Sequence, residues 1–139
     1  MTDTLYENKN FHLKLHDSHI PWIIIYANTP YKELSALPKE LKLEMFELLD
    51  IVEKELIAFY SPTKINIASF GNYLPQVHLH IMARFEEDGY FPEPMWGEQQ
   101  EEINLNLPPI EEFITLLVDK LKSRPQESVT FVPVKKSTT

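Results

Sequence analysis

The stretch "PQVHLHIMARF", Pro75 to Phe85, sets Val77, Leu79 and Ile81 on alternate positions, with Gln76, His78 and His80 between them. Residues two apart in a strand project to the same face, so the alternation commits this segment to an extended strand. One face anchors in a core. The other carries a polar row whose members stand about 7 Å apart. A chain built around such a strand needs a sheet covered on one side and open on the other.

The remaining segments supply that sheet and its cover. "FHLKLHD" alternates Phe11, Leu13 and Leu15 with His12, Lys14 and His16, and a turn at "DSHIP" leads into "WIIIYA", Trp22 to Ala27. The first reads as a strand with one wet face, the second as a central strand buried on both faces, and the two pair as an antiparallel hairpin. "INIASF" and "QVHLHIMARF" form a second hairpin through "GNYLP". From Pro38 to Tyr60, Leu41, Met45, Leu48, Leu49, Val52 and Leu56 recur at helical spacing, with Glu40, Glu44 and Glu47 in the early turns. "SPTK" ends that helix. Residues 86–109 hold proline and glycine without a period and read as a long ordered loop or cover. "IEEFITLLVDKLK" gives a C-terminal helix, "VTFVPV" a candidate last strand and "KKSTT" a frayed end. The order β–β–α–β–β–α implies one α+β domain over residues 1–139, with a mostly antiparallel sheet of about five strands, one long central helix and a C-terminal helix.

Composition narrows the function. There are 139 residues, 43% of them hydrophobic, enough for one core, and no cysteine, which excludes disulfides, thiolate nucleophiles and thiolate metal clusters. The longest apolar run, "IPWIIIYA", is far too short to span a membrane. A net charge of −8 without a Lys/Arg stripe argues against nucleic-acid binding. The N-terminus lacks the layout of a secretion signal, so the expected location is the cytoplasm.

Three readings of the polar row stay open on pattern alone. It is a solvent face that happens to hold two histidines; or His78 and His80 bind a metal with a third ligand from His12, His16 or His19; or a histidine attacks phosphorus while its neighbour gives a proton to the leaving oxygen.

"QVHLHIM" resembles the signature of the histidine triad (HIT) superfamily, His-φ-His-φ-His-φ-φ with φ hydrophobic, with Gln76 in place of the first histidine. "LHD" with "PWIIIY" resembles the family's strand pair, "INIASFGNYLPQ" its Asn-containing strand and Gly-containing loop, and "FPEPMWG" its Trp- and Pro-bearing segment. The likeness spans about residues 5–97, leaving 108–139 as C-terminal helix and tail. The longer phrases resemble a bacterial branch of HIT hydrolases named by analogy with diadenosine tetraphosphate hydrolases.

The resemblance implies a HIT-like fold and a nucleotide phosphohydrolase, with dinucleoside polyphosphates or nucleoside phosphoramidates as substrates and a nucleoside monophosphate as product. His78 would carry the nucleotidyl intermediate and His80 would contact the phosphoryl oxygens or leaving group. Asp17 would hold the ribose hydroxyls, Asn66, Gly71 and Asn72 would border the α-phosphate, and Arg84 would either meet distal phosphates or form a surface salt bridge. Trp22 reads as core before nucleobase contact, and Trp96 as a cover of the site. No cofactor is required, a divalent ion accompanying the polyphosphate is compatible with the site, and a homodimer is the family expectation. Two departures stand out. Gln76 cannot carry a proton, although its backbone carbonyl survives the exchange; and Ile23 stands about where several members have a further histidine, which weakens a zinc reading. The alternative function is a purine-nucleotide-binding protein with little turnover.

Overall fold

The computed structural model describes residues 4–125. Five strands form one antiparallel sheet in the order β1-β2-β3-β5-β4: β1 Thr4–Glu7, β2 Phe11–Leu15, β3 Trp22–Ala27, β4 Lys64–Ala68 and β5 His78–Arg84. Two helices, α1 Lys39–Tyr60 and α2 Ile110–Lys122, complete the HIT-like α+β fold. Both expected hairpins are present, β2 against β3 and β4 against β5.

The first strand was not anticipated: "TLYE" is too short to show a period and is recruited by pairing with β2. The candidate strand "VTFVPV" and the tail "KKSTT" lie outside the described residues. β5 is also shorter than the alternation suggested. It starts at His78, because the Val77 N–H is drawn to the Tyr31 carbonyl and the Gln76 N–H turns back to that of Leu74.

Register decides which face each side chain takes. Phe11, Leu13, Ile23, Ile25, Leu79, Ile81 and Ala83 turn to the helix side and join Met45, Leu48, Val52 and Leu56 of α1 in one buried cluster. His12, Lys14, Trp22, Tyr26, His78 and His80 stand on the opposite, front face. α1 stops where Ser61 adopts the left-handed region (φ 47°), its N–H closing on the Ile57 carbonyl. α2 carries Glu111 and Glu112 in its first turn and Lys120 and Lys122 in its last, matching the helix dipole at both ends.

One buried charge joins the helices to the strands. Glu44 of α1, 5% exposed, accepts from the amides of Asn8 and Asn10 at 2.8 Å each, and Arg124 Nη2 lies 3.3 Å from it. Removing the carboxylate leaves two amides without their acceptor and the buried guanidinium with Glu47 alone. Glu44→Ala should therefore cost about 3 kcal/mol in a urea titration, and a loss within experimental error would show the cluster to be dispensable.

Candidate active site

The strand pair β3–β5 builds the site. Across their register Tyr26 lies opposite His78, Ile24 opposite His80 and Trp22 opposite Met82. A cavity of about 450 Å³ opens above them, lined by Tyr26, the loop residues Phe70, Gly71, Asn72, Tyr73 and Leu74, and by His78, His80 and Trp96. Five residues singled out from the sequence thus converge: His78, His80, Gly71, Asn72 and Trp96.

The two imidazoles are held in opposite tautomers. His78 Nδ1 lies 2.7 Å from the Gln76 carbonyl oxygen, which only accepts, so this nitrogen carries the proton and Nε2 keeps its lone pair. Trp22 Nε1 lies 3.0 Å from His80 Nδ1, and an indole only donates, so the proton of His80 sits on Nε2. The ring centroids are 5.1 Å apart, with planes at 67°. One ring therefore offers a nucleophile and the other a hydrogen-bond donor.

Burial keeps His80 neutral. Desolvation, reinforced by His78 and His16, pushes its pKa down to about 4. Trp96 packs edge-on at 5.3 Å, itself wedged against Phe70 at 4.6 Å and Trp22 at 5.2 Å, so three uncharged rings surround this imidazole. On the other flank the Tyr26 ring stacks on His78 at 5.3 Å and 19°, and the His12 ring stacks on Tyr26 at 4.9 Å and 7°. Burial raises the Tyr26 pKa, so that phenol stays protonated.

Of the other expected residues, Gln76 and Arg84 are corrected by the partners they hold, and Asn66 and Asp17 lie outside this lining. The side chain of Gln76 does not join a row with the histidines; its Nε2 donates to the Ala27 carbonyl at 2.8 Å, because Gln76 precedes the strand. Arg84 neither faces the cavity nor forms a surface salt bridge. It is 1% exposed and donates to Asp88 Oδ2 at 2.8 Å, Asn66 Oδ1 at 2.8 Å and the Glu93 carbonyl at 2.7 Å. The Asn66 carboxamide oxygen is thereby engaged by Arg84, and the residue lines the surface beside Phe70 and Trp96. Asp17 lines a depression of about 210 Å³ with His16, His19, Tyr60 and Leu107, and the His16 ring lies 4.1 Å from that of Trp22. Ile23 points into the core, and the residue of β3 that reaches His80 is Trp22.

Trp22 is buried as expected, at 6% exposure, but its bond to His80 and the place of Tyr26 in the site were not read, because a continuous apolar strand does not declare its faces. The hairpin register with β2, whose faces do alternate, was the signal that assigns them. Arg84 gains a meaning instead: with Asp88 it fixes the segment that carries Trp96. Burial alone would raise the Asp88 pKa, but Arg84 and the N–H groups of Phe85, Tyr90 and Phe91 hold it below the usual value.

Among the described residues no three His, Asp or Glu side chains converge as a metal site requires, and no helix is long and apolar enough to cross a membrane.

A helix-backed antiparallel sheet with paired histidines on its penultimate strand defines the class, and the comparisons agree. The HIT domain family matches residues 2–87. The chain belongs to the HIT family. A histidine triad protein of Bradyrhizobium japonicum is 26% identical, superposes with a TM-score of 0.72 and covers 86% of this chain and 90% of its own. One from Marinobacter aquaeolei is also 26% identical, with a TM-score of 0.66 and coverages of 88% and 87%. The Plasmodium falciparum diadenosine triphosphate hydrolase shares the fold at 15% identity, TM-score 0.56 and coverages of 87% and 77%. No curated protein sequence matches the chain. The family includes nucleotide-binding proteins and hydrolases.

The pKa of His80 makes stability depend on pH. Between its ordinary value of 6.5 and about 4 the unfolded chain takes up a proton that the folded one refuses. This contribution is complete above about pH 6.5 and is lost as pH falls towards 4. Nitrogen-15 NMR should find His80 in the Nε2–H tautomer at pH 7, titrating near 4, and His78 in the Nδ1–H tautomer; an Nδ1 proton on His80 at pH 7 would contradict the assignment.

Proposed function

We propose that the protein is a nucleotide phosphohydrolase that cleaves dinucleoside polyphosphates in two steps through a nucleotidyl-His78 intermediate. The observation that carries the reading is the opposed tautomers of His78 and His80 in one cavity. Nε2 of His78 attacks the α-phosphorus, the N–P bond forms, and the P–O bond to the leaving group breaks with its electron pair. The Gln76 carbonyl supports the charge that develops on the imidazole through the Nδ1 proton. Water then attacks the phosphorus and the N–P pair returns to Nε2. The water's protons pass to the released nucleoside monophosphate and to solvent.

His80 acts here as a hydrogen-bond donor to phosphoryl or leaving oxygen, not as an acid. A neutral imidazole whose Nδ1 is already engaged by Trp22 has no second proton to give at pH 7. That favours leaving groups that depart as anions. A phosphate, whose last pKa is about 6, does so readily; an amine, with a pKa near 10 when free, needs a proton as it leaves. Phosphoanhydrides are thus preferred over phosphoramidates.

The alternative, a purine-nucleotide binder with little turnover, rested on the loss of the first triad histidine. The side chain at that position is spent on the Ala27 carbonyl outside the cavity, while its backbone carbonyl holds His78. The substitution therefore removes nothing from the chemistry proposed.

The homodimer expected of the family has a surface to use. α2 packs against α1, which exposes Leu43, Phe46 and Ile57, and the edge strand β4 exposes Ile67, each 45% or more. Exposed apolar side chains and an open strand edge are liabilities unless covered.

Two experiments test this reading. The wild type should release nucleoside monophosphate from diadenosine tetraphosphate, and His78→Ala should lose about 10⁴-fold or more in kcat. Retained turnover in that variant would sink the mechanism, and tight nucleotide binding without turnover in the wild type would favour the binder. Phe46→Glu should convert a dimer to monomer in light scattering; an unchanged mass would place the interface elsewhere.

A further inference from the structure

We propose that His12 and Lys14 form a subsite for the phosphates of the leaving nucleotide, on the β2 side of His78. This rests on the phosphohydrolase reading and deepens it by naming the residues that select a polyphosphate bridge.

The register puts His12, Tyr26 and His78 in one row across three strands, with Lys14, Ile24 and His80 in the next. His12 is fixed much as His78 is. The amide of Asn28 donates to the carbonyls of Asn8 at 2.9 Å and Lys9 at 3.0 Å, so its Oδ1 is an acceptor, and His12 Nδ1, 2.6 Å away, carries the proton. Nε2 of His12 is left for a ligand. The Lys14 ammonium stands 5.6 Å from the Tyr26 ring centroid and makes no ion pair among the described residues.

In-line attack by His78 drives the leaving oxygen away from Nε2, after which a phosphate chain bends towards one flank or the other. On the His80 flank it meets the uncharged rings of Trp22, Phe70 and Trp96. The other cations of the front face are occupied: Arg84 by Asp88, Asn66 and Glu93, and Lys64 by the Ile65 carbonyl. On the Tyr26 flank it meets Lys14 and His12. Two strand spacings separate His78 from His12, about 10 Å, which a tri- or tetraphosphate bridge crosses and a single phosphate does not. In a chain of net charge −8, a lysine left without an ion pair beside the nucleophile's ring row is suited to an anion. Glu7, exposed and opposite His12 on β1, bounds the subsite on its outer side.

The test compares kcat/KM for diadenosine tetraphosphate with that for an adenosine phosphoramidate, whose leaving amine carries no phosphate. The ratio of the two should fall about 10-fold in Lys14→Ala, the scale of one charge-assisted contact, and recover in Lys14→Arg. It should also fall in His12→Phe, which keeps a ring against Tyr26 but removes both nitrogens. A wild type that cleaves the tetraphosphate with a ratio unmoved by Lys14→Ala overturns the subsite alone. A ratio unmoved because both substrates fall together overturns it too, as damage to the ring row. A wild type that cleaves neither substrate overturns the hydrolase reading and takes the subsite with it.

Discussion

The hydrogen bond from His78 Nδ1 to the Gln76 carbonyl is the constraint on which the site depends. It fixes where the proton of that imidazole sits and therefore which nitrogen faces the cavity as a lone pair. The bond is made by backbone, so it tolerates any side chain at position 76. Its counterpart is the indole donor of Trp22, which imposes the reverse arrangement on His80. Two identical side chains, two residues apart on one strand, acquire different chemistry because one meets an acceptor and the other a donor.

The scaffold serves that pair from both sides of the sheet. Behind it, the apolar row of β5 is sealed by α1, so the strand cannot twist the imidazoles away without opening the core. In front, the buried Arg84–Asp88 pair organises a turn of otherwise irregular chain. Gly89 sits in that turn at φ 90°, where a Cβ would lie 2.7 Å from Ile103. The guanidinium's bond to the Glu93 carbonyl carries the order on towards Trp96, which closes over His80 and helps dry it. A charge pair remote from the chemistry thus sets the environment that keeps His80 neutral.

What could be read in the sequence was whatever local periodicity encodes. The faces of "FHLKL" and "HLHIM", both long helices and the irregular run after β5 follow from spacing two, spacing three to four, and the absence of either. "TLYE" gave no such signal, since its place depends on pairing with β2. Arg84 and Asp88 are four apart but not on a helix, and only the folded turn brings them together. The placing of Arg84 near distal phosphates came from likeness of motif, and motif spacing does not say which way a side chain turns. The tautomers were beyond any pattern, because each is set by a partner: Trp22 is 58 residues from His80, and the acceptor of His78 is a carbonyl rather than a side chain.

The central claim is that His78 forms a bond to phosphorus. Mixing the protein with diadenosine tetraphosphate, quenching in alkali within the first turnover and mapping peptides by mass spectrometry tests it directly. The account predicts an adenylyl group on His78, absent in His78→Ala. An adduct on His80, or full single-turnover hydrolysis with no adenylated peptide at any time, would contradict it.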